Sequence, residues 1–341
     1  MTDQHENLPP GLSRRDFLRH GLSAAAALAA AGTASRLLAQ SATSAASATS
    51  AASDTNAALP PKSRVIVITH PEVLVRGYDA NRPVLEKMIE RAVRELSGAD
   101  SAEKAWRLVA ADGDRVSMKI TRAGGPNLRT HDEIPKYIAR RLVETNHLAS
   151  DRIRAWDRED LTPEELELSD PFTLPSRKQP TKLRAALVKD TTCIINLPVL
   201  KMHSGTGASL AMKNHFGSIN NPSAFHGWDR GEMWKSIAEL SNLEPIKSRT
   251  RLVLIDATRP LYDGGPDDHE EFRWTFGGLI LGTDPVAVES VALDILETKR
   301  AAVHGSPWPV TDGRKVTDWA RKLGLGQADH SRIDLVTINL D

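Results

Sequence analysis

A single cysteine, Cys193, stands in a chain of 341 residues. No intramolecular disulfide can form, and neither an iron–sulfur cluster held by several thiolates nor a four-cysteine zinc site can be built within the chain. The thiol sits in Thr192-Cys193-Ile194-Ile195-Asn196, a short apolar run of the kind that forms a buried strand, and reads as a small buried hydrophobe. Net charge is missing too. Lys plus Arg and Asp plus Glu each number 44, which leaves no global field to attract a nucleic acid or an anionic membrane. Long hydrophobic runs are absent: the stretch from Gly21 to about Ala34 is short and alanine-dominated, far below the ~20 apolar residues of a stable membrane anchor. There is no solenoid repeat, no HExxH and no Gly-Lys-Ser/Thr phosphate loop. Gly205-x-Gly207-x-x-Leu210 lacks the third glycine of a dinucleotide fingerprint, and Gly207-Ala208-Ser209-Leu210-Ala211 ends in Ala where a nucleophile elbow has Gly.

What is present begins with Ser13-Arg14-Arg15-Asp16-Phe17-Leu18-Arg19. It resembles the bacterial twin-arginine export signal, Ser/Thr-Arg-Arg-x-Phe-Leu-Lys, with Arg19 keeping the charge of the usual Lys. A polar segment precedes it and small residues follow, so residues 1–40 read as a signal peptide. The resemblance implies passage through the twin-arginine translocase in the folded state and a periplasmic or other extracytoplasmic location. Residues 41–61 are nearly all small or polar and read as a flexible tether. A single domain is expected over 62–341.

Strand-like and helix-like runs alternate through that domain, which predicts an α/β fold: an open, mostly parallel sheet with helices on both faces. Strands are expected at 64–69, 116–120, 152–156, 192–197, 251–256, 278–282 and 333–338. Apolar residues at 84, 85, 88, 89, 92, 93 and 96 mark one face of a helix opened by Pro83. Thr130-His131-Asp132-Glu133 has capping-box spacing, and Asp284-Pro285 reads as an N-cap and first helical residue. The Pro- and charge-rich stretch at about 159–182 is expected to be an irregular excursion from the sheet.

The densest chemistry runs from Ile194 to Gly217. A buried strand, a loop with Lys201 and His203, a Gly205-Thr206-Gly207 turn and a helix start are expected there, the last offering backbone N–H groups to an anion. The segments Ile195-Asn196-Leu197-Pro198-Val199-Leu200-Lys201-x-His203, Thr206-Gly207-Ala208-Ser209-Leu210-Ala211-x-Lys213-Asn214-His215-Phe216-Gly217, Asp263-Gly264-Gly265-Pro266 and Gly282-x-Asp284-Pro285-Val286-Ala287-Val288 resemble the family that carries domain of unknown function 362, over most of residues 64–340. That family has no agreed activity. Some of its members resemble fusions with ferredoxin-like segments, a redox role that the missing cysteines keep from carrying over.

Ligands in open parallel sheets bind beyond the carboxyl ends of the strands. That rule predicts Lys201, His203, Asp256, Asp263 and Asp284 on one rim, with Lys213, Asn214 and His215 on a helix behind Gly207. His203 is the expected general acid/base, with Lys201 and Lys213 stabilising negative charge. Asn196, Gly205, Thr206, Gly207, Asn214, His215 and Asp284 are expected to hold the ligand. Asp256 or Asp263 would orient His203 or complete a divalent metal site with it. The expected function is binding of a small anionic ligand or a metal, with acid/base chemistry on it. The alternative is a non-catalytic binding or assembly protein for a co-exported redox or metalloprotein partner.

Overall fold

The structure, a computed structural model, describes residues 62–77, 79–162, 169–189, 191–226 and 232–341. The export motif and tether expected within 1–61 lie outside the described residues.

Among the described residues nine strands form one sheet. They are β1 (Ser63–Thr69), β2 (Val116–Ile120), β3 (Ile153–Trp156), β4 (Cys193–Leu197), β5 (Val199–His203), β6 (Gly207–Ser209), β7 (Thr250–Leu261), β8 (Gly278–Gly282) and β9 (Ile333–Asn339). The order across the sheet is β3-β2-β4-β7-β8-β1-β9. Every neighbouring pair on that path is parallel except the two made by β8, which runs against both β7 and β1. β7 is long enough to serve two partners. Its first half pairs with β4, and its second half pairs with β5, which turns back into β6 as a short hairpin.

Period-two alternation sorts the strand residues onto two faces. Ile66 and Ile68 pack with Met118, Ile195 and Leu254 beneath α1 (Arg82–Ser97), α2 (Ala102–Val109) and α3 (Glu133–Asn146). Val65 and Val67 point the other way, with Val253, Ile255 and Ile280, under the long helix α7 (Pro285–His304). The shorter α4 (Ala185–Val188), α5 (Met233–Ser241) and α6 (Glu244–Lys247) lie, with α8 (Thr311–Lys322), around a third apolar cluster on Trp156, Ile194 and Phe216. The expected architecture, helices on both faces of a mostly parallel open sheet, is what the chain adopts. The described residues of the stretch at about 159–182, which are 159–162 and 169–182, carry no strand of the sheet and no α-helix, and Leu174 docks on the third cluster.

Three local expectations are corrected. Thr130 does not close a capping box: its hydroxyl accepts from Thr121 N and donates to Leu197 O, tying the ends of β2 and β4, and α3 begins at Glu133 with no side-chain cap. No helix starts after the Gly205-Thr206-Gly207 turn, which instead joins β5 to β6. Gly207 has φ +79°, and a Cβ there would lie 2.4 Å from Gly313 N, so it lets α8 approach closely. Asp284 is absent from the expected rim, because antiparallel β8 delivers the loop after it to the opposite edge, beside Ser63 at the start of β1.

Candidate functional site

A cleft of about 340 Å³ opens beyond the carboxyl ends of β2, β3 and β4, against β5 and a 3-10 segment, Lys213–Ser218. Its floor comes from β2. Val116, Met118 and Ile120 face the core beneath α1, which turns Lys119 to the other side of the sheet, where it is fully buried. A charge there needs partners. The Lys119 ammonium donates to Ile120 O at 2.6 Å, Asp157 Oδ1 at 2.8 Å and Asn214 Oδ1 at 3.2 Å, which uses all three of its protons. Burial works against the charge on Asp157, but Lys119 and the backbone N–H groups of Arg122 and Arg158 outweigh it and hold the carboxyl below its ordinary range.

Lys201 and Lys213 are differently placed. Lys201 is buried on β5 and donates to Ala123 O at 2.6 Å. Desolvation lowers it to about 8, although Asp157, Asp267 and Asp268 pull the other way. Among the described residues Lys213 reaches only the Ser209 hydroxyl, at 3.5 Å, and it lies 5.5 Å from the Phe216 ring centre. Burial first, and the charge of Lys201 second, bring it down to about 7. Among the described residues four cationic side chains, Lys119, Lys201, Lys213 and Arg158, line the cleft against two carboxylates, Asp157 and Glu159.

Two histidines complete the wall, with ring centres 5.4 Å apart. His203 accepts from Gly205 N through Nδ1 at 3.0 Å, so the neutral ring carries its proton on Nε2. His226 Nδ1 faces the carbonyl of Pro222 at 2.8 Å; a carbonyl only accepts, so His226 is protonated there and its Nε2 is an acceptor. Burial, and then the charges of Lys213, His226 and Lys201, push His203 down to about 3, and burial lowers His226 as well. The cleft therefore presents neutral imidazoles of opposite tautomer beside clustered lysines.

Of the residues singled out in the sequence, Lys201, His203, Lys213 and Asn214 meet in this cleft. Gly205 and Thr206 form the turn that orients His203. Asn196 and His215 face away, into a smaller cavity of about 220 Å³ that Asp284 also lines. Asn196 bonds Ala211 O and Asn214 there, and His215 is held at about 3 by burial and the charge of Lys119. Asp284 is a helix cap: its carboxylate accepts from Val286 N, Ala287 N, Gln327 N and the Ser63 hydroxyl. Asp256 orients His131 rather than His203, at 2.7 Å, and Asp263 pairs with Arg300 at 3.0 Å. Among the described residues no group of three or more His, Cys, Asp or Glu side chains is placed to hold a metal ion.

Lys119 and Asp157 were not singled out from the sequence. Their signal was present: a lysine between Met118 and Ile120 on a buried strand must face a second packed layer, and an acidic residue directly after the neighbouring strand, here Asp157, is placed to pair with it.

Residues 160–294 match the family model described as Domain of unknown function (DUF362). The match takes in β4 to β8 with Lys201, Lys213, His203 and His226 of the cleft, but stops short of Lys119 and Asp157, and is narrower than the span over which the sequence motifs resemble that family. Comparison with curated proteins finds no match, and neither does comparison with solved structures.

Proposed function

We propose that the segment with the DUF362 match, completed by Lys119 and Asp157 from outside it, binds a small anion in the 340 Å³ cleft and acts on it by proton transfer. The observation that carries this reading is the excess of cationic groups. Lys201 and Lys213 are desolvated together and, among the described residues, neither forms an ion pair, an arrangement that an anionic ligand would relieve by supplying the missing charge. The cleft volume suits a metabolite rather than a polymer. Lys213, near 7, is matched to proton transfer at neutral pH, whereas His203 serves as a neutral hydrogen-bond donor through Nε2. This revises the role expected of His203, because burial among cations keeps it uncharged.

Calorimetric titration with inorganic phosphate tests the reading. Binding is expected at pH 6, to weaken at least tenfold by pH 9 as Lys213 and then Lys201 lose their protons, and to vanish in a Lys201→Met/Lys213→Met double variant. Unchanged affinity in that variant would remove the cleft from consideration.

The twin arginines support a place of action outside the cytoplasm. With Arg14→Lys and Arg15→Lys together, the chain is expected to stay in the cytoplasmic fraction; normal export of that variant would exclude the route.

A further inference from the structure

We propose that Lys213 forms a Schiff base with the carbonyl carbon of a small 2-oxo acid whose carboxylate rests against Lys201. The inference rests on the anion-binding reading of the same cleft and adds to it a substrate class and a covalent step.

The geometry separates the three lysines by what each is free to do. Lys119 has all its protons engaged by Ile120 O, Asp157 and Asn214 and cannot offer a lone pair. Lys201 is fixed by Ala123 O at 2.6 Å and is placed to act as a positive charge. Among the described residues Lys213 has only the long contact to Ser209 and no ion pair, beside an aromatic wall at Phe216 and a second cation in the same cleft. A lysine desolvated beside an apolar wall and another cation is the recognised way to obtain a nucleophilic amine near neutral pH. Arg158, Asp157 and Glu159 also line the cleft, while the lowering of Lys213 comes from burial and from Lys201. Asp157 is largely committed to Lys119.

The ligand class follows from what the cleft contains. A carboxylate answers the excess positive charge. A carbonyl next to it gives the neutral amine an electrophile. His203 Nε2–H can donate to a carbonyl oxygen, and His226 Nε2 can accept a proton, each ring fixed in its tautomer by a backbone group. In the step itself the Nζ lone pair adds to the carbonyl carbon while the C=O π pair moves to oxygen, which takes up a proton. The nitrogen gives up a proton, leaving a neutral carbinolamine. Protonation of its hydroxyl and loss of one water then leave the C=N bond. No oxidant or reductant is consumed.

The test is reductive trapping on the whole chain with pyruvate and cyanoborohydride, read by intact mass and peptide mapping. One saturable adduct on Lys213 is expected, suppressed by excess phosphate, with labelling at least tenfold faster than at any surface lysine. Lys213→Arg should abolish that adduct while circular dichroism stays that of the wild type. Lys201→Met should cut trapping of pyruvate at least tenfold while acetaldehyde, which has no carboxylate, is still trapped at Lys213. Labelling spread evenly over surface lysines, or an unmodified Lys213, overturns the inference. Phosphate binding by calorimetry keeps the two readings apart: binding without a Lys213 adduct defeats only the Schiff base, and absence of both defeats the anion site as well.

Discussion

The carboxylate of Asp256, in the middle of β7, lies 2.7 Å from His131 Nδ1 at the approach to α3. The same Oδ2 also accepts from His131 N, and Oδ1 takes the hydroxyl and the N–H of Thr258. Burial penalises both charges, yet the pair overcomes it: Asp256 is held below its ordinary value, and His131 above the usual 6.5. For Asp256, whose value is depressed, the stabilisation is present above the unfolded value of ~3.9 and is lost as pH falls through the folded one. For His131, whose value is raised, it is full below 6.5 and is lost as pH rises through the folded value. The pair therefore stabilises most between roughly pH 4 and 6.5. An NMR titration of His131 is expected to show a midpoint above 6.5 in the wild type and below it in Asp256→Asn, where burial acts without the counter-charge. Equal midpoints in the two proteins would mean that the contact is not an ion pair.

Lys119 and Asp157 form the other buried pair, and here truncating one partner should cost far more than replacing both. Asp157→Ala leaves the Lys119 ammonium almost fully buried without its counter-ion. A loss of about 3–5 kcal/mol in urea unfolding is expected. The double variant Lys119→Met/Asp157→Leu should recover at least half of it, since no charge is then stranded. A double variant as unstable as Asp157→Ala would show that the pair serves packing rather than charge compensation. Gly217 adds a steric condition, because a Cβ there would come within 2.5 Å of Asp157 Oδ1.

Much of this arrangement was legible along the chain where a local rule governs. The unbroken apolar run Val65-Ile66-Val67-Ile68, the face from Val84 to Leu96 and the Asp284-Pro285 cap each follow from local pattern or capping chemistry alone. Strand direction is not local. Gly278–Gly282 reads as a buried strand whichever way it runs, and its antiparallel placement moved Asp284 from the cleft edge to the far one. A loop carrying Lys201 and His203 and a helix start after Gly207 were expected; pairing with β7 and the hairpin supply the backbone partners that make β5 and β6 strands instead. The consecutive Lys213, Asn214 and His215 show the same limit. They were expected on a helix behind Gly207, and a 3-10 segment instead divides them: Lys213 to the cleft, Asn214 between Lys119 and Asn196, His215 to the smaller cavity. Asp256 was expected to orient His203 or join it at a metal, and it is the tertiary placement of the 121–131 segment that brings His131 to it instead.

Lys213 ties binding to stability with an unusual sign. Its folded value of about 7 lies below the unfolded ~10.4, so the unfolded chain holds the proton more tightly. Without ligand, the charged amine therefore destabilises the fold fully at pH 6, and the penalty fades as pH rises past 7 toward 10.4. Lys213→Met removes that penalty and fills the space beside Phe216 with an apolar chain of similar length. The variant is expected to be more stable than the wild type by about 1–2 kcal/mol at pH 6, with the gain gone near pH 10. Phosphate should raise the melting temperature of the wild type at pH 6 and leave the variant unmoved, because ligand binding stabilises only the protein that binds it. Thermal melts at the two pH values, with and without phosphate, measure all four quantities. A variant less stable than the wild type at pH 6 would show that the ammonium is already satisfied in the ligand-free cleft, and the argument for a missing anion would fall with it.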